Sequence, residues 1–157
     1  MKHLLCFKSF FSDKNGFETK GSLREGRKFP ACGTFYEKTG GNVGVAVGGL
    51  DITNNPIKSA EVYFDMNGEW ILITQLPSPY GMGTVSIVGN RLLFIGGMGE
   101  ADASSHVYVF NKQTGWHLTN LQTSSGKSEH VSTAIRVDQI SVNGLGILLF
   151  CFLTSLK

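Results

Sequence analysis

The stretch from Tyr80 to Trp116 runs Gly83-Thr84-Val85, then Arg91-Leu92-Leu93-Phe94-Ile95-Gly96-Gly97, then His106-Val107-Tyr108-Val109-Phe110, then Gly115-Trp116. An earlier stretch has the same order: Gly33-Thr34-Phe35, Val43-Gly44-Val45-Ala46-Val47-Gly48-Gly49, Glu61-Val62-Tyr63-Phe64 and Glu69-Trp70. The second Gly-Gly follows the first by 48 positions, the two Trp are 46 apart, and the two Gly-Thr pairs are 50 apart. Each copy is therefore an apolar run, twin glycines, an apolar run with a tyrosine, and a tryptophan. Apolar runs of strand length that recur at this interval describe a unit that must bury its faces against its neighbours.

Working outward, each unit divides into four short strands. In the first they are expected at residues 32–36, 42–47, 60–64 and 69–74; in the second at 83–88, 91–95, 106–110 and 115–120. Val43, Val45 and Val47 alternate with Gly44 and Ala46, so one face is apolar and the other nearly bare. Leu92 to Ile95 is apolar throughout, the pattern of a strand covered on both faces. Gly89-Asn90 and Asn67-Gly68 are two-residue hairpin signals. Twin glycines after the second strand permit backbone angles and close approaches that a Cβ would block. A period of roughly 40–50 residues with four strands per repeat predicts an all-β chain, a partial β-propeller of four-stranded antiparallel blades.

The order Gly-Gly, Tyr, Trp resembles the kelch repeat, over about Phe10 to Val137. In that reading residues 6–29 are the C-terminal half of a blade, in which Phe10 stands for the Tyr and Phe17 for the Trp, with Asn15-Gly16 at the turn. Residues 30–76 and 77–121 are about two complete kelch blades. Residues 122–144 begin a further one, with its first strand at 131–135 and the start of its second at 140–142, and 145–157 is an apolar tail of unclear status. The resemblance implies a rigid scaffold that recognises another protein through its loops. Gly48, Gly49, Tyr63, Trp70, Gly96, Gly97, Tyr108 and Trp116 are the structural hallmarks of the repeat.

Composition narrows the class. With 157 residues the chain has the length of one domain. Its 14 Lys and Arg against 12 Asp and Glu give a net charge of +2, and no basic run exceeds two residues, so no nucleic-acid footprint is present. Twenty glycines between short apolar runs argue for turns rather than helices. Cys6, Cys32 and Cys151 are odd in number and far apart, without metal or disulfide spacing. With no Asn-x-Ser/Thr sequon, they point to reduced thiols in an intracellular, cytoplasmic protein. The opening apolar run is broken at Lys8 and Ser9, unlike a secretory signal. The run from Leu145 to Leu156 is too short for a membrane-spanning helix, which needs about 20 residues, and is read as a core strand or a sticky end.

Sites are expected on loops. The long loops between second and third strands carry Asp51, Asn54, Asn55 and Lys58 in one unit and Glu100, Asp102, Ser104 and Ser105 in the other. Between units, Arg27 lies four past Leu23 and Tyr80 four past Leu76. The family often has Arg there, so Tyr80 departs from it; Arg27 reads either as a partner contact or as a bridge between blades. No catalytic residue, metal site or cofactor is expected. The motifs Gly-x-Ser-x-Gly, His-Glu-x-x-His and Gly-x-x-x-x-Gly-Lys are absent, and the four histidines are scattered.

The expectation is a kelch-repeat protein-binding module, and by resemblance the substrate-recognition part of a cullin-type ubiquitin ligase adaptor. The alternatives are a fragment of a kelch-like propeller enzyme related to galactose oxidase, whose Tyr, His and Cys constellation is not seen here, or a truncated chain without autonomous function. Since a propeller hides its faces by closing a ring of typically 4–8 blades, further blades or other copies are expected to complete it.

Overall fold

A computed structural model describes residues 8–13, 16–37, 41–64, 67–88, 91–128, 130–136 and 147–153. They form strands β1 (Lys8–Asp13), β2 (Gly16–Ser22), β3 (Ala31–Glu37), β4 (Gly41–Val47), β5 (Ala60–Phe64), β6 (Glu69–Ile73), β7 (Thr84–Val88), β8 (Arg91–Ile95), β9 (His106–Asn111), β10 (Gly115–Gln122), β11 (His130–Arg136) and β12 (Ile147–Leu153). Among the described residues there is no helix, and so none long and apolar enough to cross a membrane. Two four-stranded antiparallel sheets, β3-β4-β5-β6 and β7-β8-β9-β10, lie between two-stranded sheets β1-β2 and β11-β12. Within each sheet the strands that follow one another in sequence are hydrogen-bonded neighbours and antiparallel, the arrangement that a simple reversal of the chain produces.

The expected strands agree with the observed ones within two residues in both four-stranded sheets. The tail behaves differently. Ile147–Leu153 is β12, paired with β11 from His130↔Leu153 to Arg136↔Ile147. The strand expected at 140–142 lies outside the described residues, as do the Gly89-Asn90 turn, Asn15, and the side chains of Phe10 and Phe17.

The core follows from strand alternation. Val43, Val45 and Val47 point from β4 toward the second sheet and join Leu92, Phe94, Tyr108 and Trp116 in the largest cluster. The bare face of β4 is covered by rings from its own sheet: Tyr63 and Trp70 pack over Ala46, with Leu23 beyond them. Their ring centroids are 5.6 Å apart. On the far face of the second sheet Leu93, Ile95 and Val107 form a third cluster. β3 and β7 pack closely; a Cβ on Gly33 would come within 3.0 Å of Val85 Cγ1.

Trp70 and Trp116 have matching surroundings. The Trp70 indole N–H donates to the carbonyl of Gly21 at 3.1 Å, and that of Trp116 to the carbonyl of Thr74 at 2.9 Å. Gly21 lies two residues before Leu23, and Thr74 two before Leu76. Each sheet thus fastens a buried indole to the outermost strand, or its end, in the sheet before it.

The register revises two sequence equivalences. With the glycine pairs aligned, Ala46↔Glu61 corresponds to Phe94↔Tyr108, and Gly44↔Tyr63 to Leu92↔Phe110. Phe110, not Tyr108, is therefore the counterpart of Tyr63, and it pairs with Trp116 as Tyr63 pairs with Trp70. Tyr108 is the counterpart of Glu61. The Gly-Thr pairs are also out of step, since Ala31↔Val47 matches Thr84↔Ile95 and sets Gly33 against Ser86.

The indole contact yields a test. Trp116→Phe keeps a ring but removes the donor to Thr74, with an expected loss of about 1 kcal/mol. Trp116→Ala also opens a cavity, and about 3–5 kcal/mol is expected. Urea unfolding measures both; equal values for the two variants would contradict the assignment.

Candidate functional site at the loop end

One end of the two sheets gathers the segments that join them. Lys28 and Leu50 exchange two backbone hydrogen bonds, at 2.8 and 2.7 Å; Gly81 and Met98 repeat this at 3.0 and 2.7 Å. Gly49 N–H donates to the Tyr80 carbonyl and Gly97 N–H to that of Lys127, at 2.8 and 2.7 Å. Ile57 N–H donates to Gly49 and Ser104 N–H to Gly97. The loops 50–58 and 98–105 are therefore woven into the connecting segments 24–30, 77–83 and 123–128. The twin glycines make this possible. Gly48 and Gly96 have φ of +60° and +66°, and a Cβ on Gly48 would fall 2.2 Å from the Tyr80 carbonyl oxygen.

From each of the segments 24–30 and 77–83 one side chain enters the next sheet. Arg27 is 1% exposed. Its Nη1 donates to the carbonyls of Gly48 (2.9 Å) and Ser59 (2.8 Å), and its Nη2 to Glu61 Oε1 at 2.6 Å. The Glu61 carboxylate, also buried, accepts from the backbone N–H of Arg24 at 2.7 Å and of Glu25 at 3.2 Å. A buried charge is tolerated when it is paired and hydrogen-bonded, and here both terminal nitrogens of the guanidinium are engaged while its buried Nε has no partner. At the corresponding place in the second sheet Tyr80, 7% exposed, meets Tyr108 with hydroxyls 3.2 Å apart. Tyr80 and Tyr108 thus replace Arg27 and Glu61 as a pair. Burial, then the hydrogen bond with the Tyr80 hydroxyl, pushes the Tyr108 phenol up.

Of the expected contact residues, Arg27 and Tyr80 are consequently inside. Arg27 takes the bridging reading: its guanidinium is held by the next sheet and does not reach the surface. The others lie on the loops. Asp51 is partly exposed and organises its own turn, accepting at Oδ1 from the Thr53 N–H, the Thr53 hydroxyl and the Asn55 N–H at 2.7–2.9 Å. Those bonds, the Thr53 hydroxyl first, hold its carboxyl below the usual carboxylate range. Asn54 has φ +67° and accepts from Lys28 Nζ at 2.8 Å. Asn55 and Lys58 are exposed.

The second loop borders a cleft of about 350 Å³ lined by Ser78, Pro79, Tyr80, Gly99, Glu100, Ala101, Asp102, Ser104 and His106. Glu100 and Asp102 are exposed beside it, and Ser104 and Ser105 are half-buried. At its floor the Tyr80 hydroxyl is 3.4 Å from His106 Nδ1, and the Ser104 hydroxyl accepts from the His106 N–H at 3.1 Å. The cleft thus presents carboxylates at its border and the hydrogen-bonding groups of Tyr80, Ser104 and His106 below.

Sequence reading missed two residues at this end. Phe29 and Ile52 are 61% and 69% exposed. They belong to neighbouring strips of chain, since Lys28 pairs with Leu50 and its ammonium approaches the Ile52 carbonyl at 3.4 Å. Phe29 and its counterpart Met82 both have positive φ, +49° and +58°, and Met82 N–H donates to the Phe29 carbonyl. Strain at two equivalent non-glycine positions costs of order 1–2 kcal/mol each and persists only where flanking bonds impose it. A phenylalanine just before Pro30, in a stretch with no strand alternation, was the available signal.

No family model matches the chain, and no curated protein matches it.

Two tests follow from the buried pairs. Arg27→Ala or Glu61→Ala leaves one charge buried alone, and a loss of about 3–5 kcal/mol in urea unfolding is expected for either. In the unfolded chain a tyrosine titrates near about 10. The folded Tyr108 holds its proton to higher pH, so its contribution is complete below that value and declines as pH rises above it. Stability should fall above about pH 10, and Tyr108→Phe should make that fall shallower. An unchanged alkaline slope in Tyr108→Phe would contradict the shift.

Proposed function

We propose that this chain is a kelch-type repeat protein whose loop end binds another protein. The observation that carries the reading is the convergence at one end of loops 50–58 and 98–105 on a hydrogen-bonded base. That end offers an exposed apolar pair and an acid-bordered cleft together. Exposed aromatic and aliphatic side chains on a rigid frame are the usual anchors of an interface, because they lose little conformational freedom on binding. Phe29 and Ile52 would supply the apolar anchor. Glu100 and Asp102 favour a partner that brings a basic side chain to the cleft, where Tyr80 and His106 offer hydrogen bonds. Asp51, Asn54, Asn55, Lys58, Ser104 and Ser105 would form the polar rim.

The proposal also takes the sheets as successive blades of a propeller. Its support is the repeated set of contacts: glycine pair, inserted side chain and indole. The family resemblance extends it to substrate recognition for a cullin-type ubiquitin ligase.

Proximity labelling in cells, followed by binding measurements with the proteins recovered, tests the reading. Phe29→Ala with Ile52→Ala, and separately Glu100→Lys with Asp102→Lys, should each weaken binding at least about tenfold, the equivalent of 1.4 kcal/mol. Gln113→Ala, in the turn at the opposite end, should leave it unchanged. Retention of binding by both loop variants, or equal loss in Gln113→Ala, would overturn it.

A further inference from the structure

A second opening lies between the two four-stranded sheets, at the end away from the loops. Ile87, Leu92 and Phe110 stand in one row across β7, β8 and β9. With Phe35 of β3 and Val62 of β5 they wall a pocket of about 60 Å³, which Arg91 and Lys112 complete. The approach of the sheets explains the gap. A Cβ on Gly33 would meet Val85 Cγ1 at 3.0 Å and Ile87 Cδ1 at 3.7 Å, so β3 and β7 touch there. Phe35 is the next residue on that face of β3, and its ring holds the sheets apart. The charges at the mouth are unequal. Lys112, in the turn between β9 and β10, is paired with Glu37 at the end of β3. Arg91, the first residue of β8, is exposed and makes no hydrogen bond or ion pair among the described residues. One cation is thus committed, and the other stands free beside an apolar recess.

We propose that this pocket binds a short-chain aliphatic monocarboxylate, its alkyl group between the sheets and its carboxylate on the Arg91 guanidinium. Three considerations select that chemistry. First, size. A water molecule takes about 30 Å³ of the liquid, and a cavity that admits benzene measures about 150 Å³. A pocket of about 60 Å³ therefore holds roughly three carbons and excludes a ring. Second, charge. A planar guanidinium with no other partner matches one carboxylate in a two-pronged hydrogen bond. A phosphate monoester carries nearly two negative charges and would call for a second cation, but Lys112 is held by Glu37. Third, the lining. Apart from Arg91 and Lys112, which only donate, every lining residue is apolar. Nothing there accepts an amide N–H, so the fit is to a free acid rather than to the last residue of a peptide. The stem of Lys112 closes the wall on its side, and its ammonium stays in solvent with Glu37.

Titration of the full chain with sodium isovalerate, followed by methyl NMR, tests the site. Saturable shifts are expected at Val62, Ile87 and Leu92, with the millimolar affinity that so small a ligand allows. Isovaleramide, which has the same alkyl group without the charge, should bind at least about tenfold more weakly, and so should phenylacetate, whose ring exceeds the pocket. Arg91→Gln should weaken isovalerate by at least about tenfold. Because Arg91 is exposed, its urea unfolding should match that of the parent chain. Ile87→Phe should fill the pocket and abolish the shifts at Val62 and Leu92. Shifts that do not saturate, equal binding of isovaleramide, or unchanged binding in Arg91→Gln would each overturn the proposal. Binding of acetyl-glycyl-valine without binding of isovalerate would overturn it in favour of a peptide terminus.

Discussion

The arrangement of the two four-stranded sheets depends on one side chain from the connecting segment before each, Arg27 and Tyr80, being driven into the sheet that follows. Arg27 is the clearer case. Its guanidinium spans from the glycine-pair turn at Gly48 to the start of β5 at Ser59 and Glu61, so it ties together the two sides of loop 50–58 at its root. Glu61 returns the constraint by accepting the backbone N–H groups of Arg24 and Glu25, which fixes the segment that carries the arginine. A charge removed from water is costly unless it is paired, so the ion pair and the carbonyl bonds hold the connection in place. Once residues 24–28 are held, the Lys28–Leu50 ladder sets the height of the loop, and the exposure of Phe29 and Ile52 follows.

The second sheet solves the same problem without charge. Tyr80 and Tyr108 need only one mutual hydrogen bond, and Tyr80 gains much of its hold from ring packing, with Phe94 and Tyr108 centroids each 5.9 Å away. A neutral pair demands fewer partners than an ion pair. Its hydroxyl also lies within reach of His106, at the floor of the cleft. Exchanging both members together preserved the architecture and changed the chemistry of the surface above it. Exchanging one would have left a carboxylate facing a phenol, or a guanidinium facing one, in the interior.

Much of the fold was legible because strands declare themselves locally. Alternation at Val43, Val45 and Val47, the continuous run at β8 and the glycine pairs located both four-stranded sheets within two residues. The equivalences were less legible because the offset between the units drifts. It is 53 residues at the first strand, 48 at the glycine pair, 47 at the third strand and 46 at the tryptophan. Connections of different length absorb the difference, and a search for one period lets Tyr63 fall on Tyr108. The candidate site was legible by half. Polar loop residues such as Asp51 and Glu100 were found because loops at strand ends are solvated. Phe29 and Ile52 are passed over because an apolar residue is expected inside; Tyr80 reads as a surface contact because it sits in a connecting segment, and for the same reason Arg27 stays open between a partner contact and a bridge.

What the sequence determined alone was therefore an all-β repeat with its strands, its glycine turns and its loops in order, since these depend on the character of residues a few positions apart. Only the tertiary structure decided that Glu61 answers Arg27 and that Tyr108 answers Tyr80. It likewise decided that each indole reaches the sheet before it. Those pairings join residues 28 to 49 positions apart. They depend on strand register and on sheet-to-sheet approach, which no local pattern of polar and apolar residues encodes.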